Sequence, residues 1–121
     1  MPRFCLVTCM LILTSPTFPV HAQNNSLGYG VNTCSEFVAT YEPRQQMTIF
    51  AWAAGFFTGI NTASITSAAR YRDLSGLTPD VVVTRLLGYC TQNPRDAVMR
   101  AAEKIYFGTP VIASKAAATG K

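Results

Sequence analysis

The chain has 121 residues, enough for one domain. Apolar residues make up 49% of it and charged residues 13%, with a net charge of +4. That balance excludes a disordered polyelectrolyte, which needs low hydrophobicity and high net charge.

Met1-Pro2-Arg3 supplies a short positive start, Phe4 to Leu13 is an unbroken apolar run, and Thr14 to Ala22 is polar and proline-broken, ending in Val20-His21-Ala22. This three-part layout predicts a signal peptide over 1–22, cleaved after Ala22, and hence export to the periplasm. The apolar run is too short to span a bilayer. Cleavage leaves roughly 100 residues, a domain whose core is marginal without a staple. It also removes Arg3 and the one histidine, His21. Histidine catalysis and histidine metal sites are therefore excluded from the mature chain. The remaining basic residues, from Arg44 to Lys121, are scattered. A nucleic-acid binder concentrates them on a stripe with interleaved aromatics, so no nucleic-acid partner is expected.

Cys5 and Cys9 leave with the signal, and Cys34 and Cys90 remain. In an exported chain two cysteines most simply form one disulfide, with free thiols or an intermolecular link as the alternatives. A bridge closing 56 residues contributes about 4 kcal/mol in the chain-entropy model.

Residues 23–32 are polar and glycine-containing and read as a flexible lead-in. Thr33-Cys34-Ser35-Glu36 fits a capping box, and Cys34, Phe37, Val38 and Tyr41 fall on one face of a short helix. Pro43 marks the break after it. Met47 to Ala69 then runs without a charge, between Arg44 and Arg70. Its dense apolar part, Ile49 to Ile60, is too short for a membrane span, and Asn61 and five hydroxyl residues follow or interrupt it. The segment reads as a buried central helix, apolar nearly all round. Trp52 is its largest core residue, and Gly55 and Gly59, one turn apart, form a groove for a neighbouring helix.

Arg70 to Gly76 is a polar connection. Thr78-Pro79-Asp80 is a helix start, with Thr78 as N-cap, Pro79 in the first turn and Asp80 facing the positive end of the dipole. Val82, Leu86, Tyr89 and Cys90 are its buried stripe. Asn93-Pro94 reads as the start of the next helix, with Asp96 near its N-terminus, Ala97, Val98, Ala101, Ile105 and Phe107 on its apolar face, and Gly108 and Pro110 at its end. Residues 109–121 show no pattern and are expected to be disordered. No strand alternation is evident, so the fold class is all-α, with the helical domain over 33–108.

Thr33-Cys34-Ser35-Glu36-Phe37 and Tyr89-Cys90-Thr91-Gln92-Asn93-Pro94 resemble the two cysteine motifs of the HdeA/HdeB acid-stress chaperones. Trp52-Ala53-Ala54-Gly55-Phe56-Phe57-Thr58-Gly59-Ile60-Asn61, set between them, resembles the Rap/Tai immunity proteins of type VI secretion. The resemblance covers about Thr33 to Phe107. It implies a small, periplasmic, HdeA-like four-helix bundle with one disulfide. Structural core positions are then Phe37, Trp52, Gly55, Gly59, Asn61, Leu86 and Tyr89.

Glu36, Asp80 and Asp96 have capping or dipole roles, and Glu42, Asp73 and Glu103 lie far apart in unlike contexts. No paired carboxylates, serine–histidine arrangement or phosphate-binding glycine loop is recognisable. The chain reads as non-enzymatic, without cofactor or metal, acting by binding another protein. The immunity resemblance implies a secreted toxin as partner, a peptidoglycan amidase by analogy; the chaperone resemblance implies unfolded clients; a homodimer and a secretion-accessory role stay open. Arg70-Tyr71-Arg72-Asp73, an aromatic among charges, is the expected partner-binding segment.

Overall fold

The computed structural model describes residues 27–113. The expected signal peptide over 1–22, the start of the expected lead-in and residues 114–121 lie outside the described residues. The element order is α1 Cys34–Thr40, α2 Gln46–Ala68, β1 Arg70–Arg72, α3 Pro79–Gln92, α4 Val98–Phe107 and β2 Val111–Ala113. The molecule is mostly helical, with a small two-stranded sheet that the all-α reading lacked.

Helix α1 starts as its sequence predicts. The Thr33 hydroxyl accepts from the Glu36 amide (3.3 Å), and the Glu36 carboxylate accepts from the Thr33 amide (2.9 Å). Two more amides of its first turn are satisfied by a distant loop: Cys34 N–H donates to the Asp96 carbonyl (2.7 Å) and Ser35 N–H to the Pro94 carbonyl (3.0 Å). Helix starts leave such donors without intrahelical partners, so the loop over 93–97 acts as an external cap. This corrects the expected start of α4. Asn93-Pro94 does not open a helix; residues 94–96 turn, the Asp96 carboxylate accepts from the Tyr89 hydroxyl, and α4 begins at Val98. The same residues that signal a helix start are spent on capping α1.

Cys34 and Cys90 form a disulfide between the start of α1 and the end of α3, both residues fully buried. Helix α3 is the centre of the fold and packs against α1, α2 and α4. Its cap is the predicted one, Thr78 Oγ1 accepting from Val81 N–H (3.3 Å), with Pro79 in the first turn. Val82, Leu86 and Cys90 are buried as expected, joined by Val83, while Tyr89 is half-buried at the edge. Phe37 of α1, Ile49, Ala53 and Phe57 of α2, and Val98, Ala101, Ala102, Ile105 and Tyr106 of α4 complete the core.

Helix α2 is therefore peripheral. Ile49, Ala53 and Phe57, spaced by four, face the core, and Phe50, Trp52, Phe56 and Ile60 flank them. Gly55 and Gly59 lie on the opposite, exposed side, where a methyl group built on either meets nothing within 4 Å. They are not core positions, and no helix among the described residues approaches them. Small residues make this side look buried by composition, whereas α3 takes the centre with its larger aliphatic side chains. No helix of the described residues is long and apolar enough to cross a membrane.

Trp52 anchors the chain's N-terminal approach rather than the centre of the bundle. Its indole N–H donates to the Leu27 carbonyl (3.2 Å), and its ring stacks on Phe56 and meets the edge of Tyr29. Gly28 has φ +75° and lies so close that a Cβ would come 3.0 Å from the indole, so only glycine fits both constraints. From residue 27 onward the expected flexible lead-in is a strap: a 3-10 turn over Gly28–Val31, with Gly30 buried.

After α4, Thr109 is buried and its hydroxyl donates to the Tyr106 carbonyl (2.8 Å). Strand β2 pairs antiparallel with β1 in the register Arg70 to Ala113, Tyr71 to Ile112 and Arg72 to Val111. The expectation of a patternless tail thus fails over 109–113, because three-residue strands are too short to show alternation.

The open face of α2 yields a direct prediction. Gly59→Ala adds helix propensity and meets no neighbour, so it should stabilise the protein by about 1 kcal/mol. The urea midpoint is expected to rise; a fall would show that a neighbouring element covers this face.

Candidate functional site

The end of α2, strand β1 and the end of α4 meet at one corner, held by the carboxamide of Asn61. Its Nδ2 donates to the Arg72 carbonyl (2.9 Å), and its Oδ1 accepts from the Arg72 amide (2.9 Å) and from the Tyr106 hydroxyl (2.7 Å). Asn61 thereby pairs both backbone groups of Arg72, as a neighbouring strand does. On the other side of β1, Asp73 N–H donates to the Pro110 carbonyl (2.9 Å) and the strand pairs with β2. The segment enters this position through Ala69, at φ 50° in the left-handed region, a conformation that costs a non-glycine residue about 1 kcal/mol.

Of the four residues expected to bind a partner, two are committed to the fold. Arg72 turns inward at the C-terminus of α4: its Nη1 donates to the carbonyls of Phe107 (2.8 Å) and Thr109 (2.6 Å). Its guanidinium lies 5.1 Å from the Phe107 ring centroid and 5.5 Å from that of Tyr106. A cation here satisfies carbonyls that a helix end leaves orphaned and complements the negative end of the dipole. Asp73 closes a turn, its Oδ1 accepting from the Ser75 amide (2.9 Å). Hydrogen bonding from the Ser75 side chain, then from its backbone, holds this carboxyl below the usual range. Arg70 is exposed and Tyr71 half-buried, and these two remain available.

Around them lie residues the sequence reading did not select for binding. Phe107, expected on the apolar face of α4, is 58% exposed, and Val111 is 55% exposed. With Arg70, Tyr71, Arg72 and Tyr106 they line a shallow depression of about 250 Å³. Phe107 also borders a second depression of about 470 Å³ with Arg100, Glu103, Lys104 and Gly108. Arg100 pairs loosely with Glu103 (3.4 Å), whereas Arg70 and Lys104 make no ion pair among the described residues. The only signal in the sequence was the placement of Lys104 and Phe107 at the end of an amphipathic helix.

The exposed face of α2 is the other open surface. It is lined by Ala54, Gly55, Thr58, Gly59, Thr62, Ala63, Thr66 and Ser67. The hydroxyls of Thr62, Thr66 and Ser67 donate to carbonyls four residues earlier, which leaves a flat, weakly polar surface. No group of three or more metal-ligating side chains occurs among the described residues.

Comparison with protein-family models, curated proteins and solved structures gives no match.

The Asn61 carboxamide generates the test of this corner. Asn61→Leu keeps the approximate size but strands the Arg72 backbone and the Tyr106 hydroxyl, at about 1–3 kcal/mol for each buried polar group left unpaired. Chemical denaturation should show a clear loss of stability, and a smaller one, about 1 kcal/mol, for Tyr106→Phe. Equal, near-zero effects of both variants would contradict the role given to the carboxamide.

Proposed function

We propose that the protein is an exported, non-enzymatic binding protein, most specifically a periplasmic immunity-type inhibitor of a secreted toxin such as a peptidoglycan amidase. The observation that carries this reading is the pre-organisation of the β1 corner. Arg70 and Tyr71 stand on a strand fixed on one edge by β2 and on the other by Asn61. Rigidity of this kind lowers the ordering cost of association and suits an inhibitor that binds as a folded unit. A mostly helical scaffold tied by the Cys34–Cys90 bond supports the same reading, as does the Rap/Tai resemblance of Trp52 to Asn61. Export rests on the three-part leader at 1–22.

The competing reading, an HdeA/HdeB-like chaperone, needs a fold that opens in acid. Two carboxylates among the described residues are clearly depressed, Glu36 and Asp73. The Thr33 backbone amide, then the Thr33 hydroxyl, hold Glu36 down. A carboxylate with a lowered folded pKa adds stability above its unfolded value and loses it as pH falls through the folded value. Both groups cap exposed single turns, so solvent screens much of their contribution. Neither the disulfide nor the apolar core titrates in acid.

Tyr89 runs the other way. The hydrogen bond to Asp96, then burial and the charge of Asp96, push its phenol above 10.0. Its contribution is complete below the unfolded value and disappears as pH rises through the raised one.

The protein is therefore expected to keep its near-ultraviolet dichroism at pH 3 and to weaken in alkali, with part of the alkaline loss absent in Tyr89→Phe. Collapse of the Trp52 signal at pH 3, together with suppressed aggregation of acid-unfolded clients, would favour the chaperone. In cells, the exported chain should protect against a periplasmic toxin encoded beside it, and a leaderless version should not.

A further inference from the structure

We infer that the corner centred on Phe107 is the docking surface for an acidic protein segment that places an apolar side chain between carboxylates. This deepens the binding-protein reading and rests on it.

The centre of the corner is apolar and fixed. Phe107 meets the edge of Tyr106 at 5.2 Å between centroids, its carbonyl is held by Arg72, and the Arg72 guanidinium covers part of its ring. Val111, on a strand paired with β1, shares the depression on one side of it. Two large apolar side chains more than half exposed, yet immobilised by the fold, offer contact area at little entropic cost.

The rim is cationic on both sides. Arg70 borders the depression shared with Val111, and Lys104 and Arg100 border the one across Phe107. Glu103 is the one acidic side chain lining either depression, and it is occupied with Arg100. An apolar centre inside a charged rim is the anatomy of a protein interface, and a surplus of one sign selects a partner of the other. A nucleic acid is the weaker fit. It favours a run of cations with open aromatic faces, and here Arg72 already lies over the one exposed ring.

The test uses the mature protein and a fluorescein-labelled peptide with aspartates and glutamates on both sides of one leucine. Fluorescence anisotropy should show saturable binding that weakens with added salt. Arg70→Glu with Lys104→Glu should weaken it at least about tenfold, since like charges then face each other across the contact. The matched double reversal Arg44→Glu with Arg95→Glu, on exposed positions away from the corner, should leave binding within about twofold, as expected for charges outside the contact. A cooperative thermal transition in both double variants shows that folding is intact. No binding, an equal effect of the two double reversals, equal binding of the leucine-to-serine peptide, or tighter binding of single-stranded DNA would each overturn the proposal. In the toxin-protection assay, loss of protection by the Arg70/Lys104 variant alone supports it. Full protection by that variant overturns this surface while the immunity reading stands, and no protection by the unaltered chain defeats the immunity reading itself.

Discussion

One carboxamide, that of Asn61, decides whether this protein has a defined corner at all. A two-stranded sheet of three residues per strand has little stability of its own. Strand β1 persists because Asn61 supplies a second edge to it, pairing the amide and carbonyl of Arg72 at once. The same oxygen takes the Tyr106 hydroxyl, so α2, β1 and α4 share one polar node. Fixing Arg72 there delivers its guanidinium to the end of α4, where it closes the helix and lies against Phe107. Phe107, the last residue of α4, meets Arg72 there, while Arg70, two residues earlier on the same strand, stays exposed.

The rest of the fold provides the frame. Helix α3 buries aliphatic residues against three other helices, and the Cys34–Cys90 bond ties its end to the start of α1. A bridge closing a loop of this length contributes about 4 kcal/mol in the chain-entropy model, a large share of the stability of so small a domain. The disulfide joins α1 to α3, whereas the Asn61 node joins α2 and β1 to the end of α4. Before α4 the loop over 93–97 is hydrogen-bonded to the first turn of α1, next to the disulfide, and at its last turn α4 is held through the Tyr106 hydroxyl on Asn61.

What the sequence revealed divides along a physical line. Thr33 and Glu36, Thr78 and Pro79, and the two cysteines act through local geometry or through covalent chemistry, and each does what its pattern says. The misreadings concern tertiary context. An uncharged run looks buried on every side, but Gly55 and Gly59 have no side chain either to bury or to charge, and they face outward. Pro94 and Asp96 carry helix-start signals, yet the carbonyls around them cap another helix. Nothing in Arg70-Tyr71-Arg72-Asp73 distinguishes the arginine that turns inward from the one that stays exposed. That difference is imposed by Asn61, Phe107 and Thr109, all remote in sequence. The spacing of Phe107 fits the core face of α4, but the helix ends there, and its ring falls beside Arg72 instead.

The central claim is that a side chain, not a third strand, holds the outer edge of β1, and amide hydrogen exchange at Arg72 tests it most directly. In the unaltered protein the Arg72 amide should exchange slowly, on the scale of the core amides of α3, because opening it requires breaking the Asn61 node. In Asn61→Ala that amide, and with it the amides of the β1–β2 pair, should lose most of their protection while α3 stays protected. Rapid exchange of Arg72 in the unaltered protein, at the rate of an exposed loop, would contradict the account.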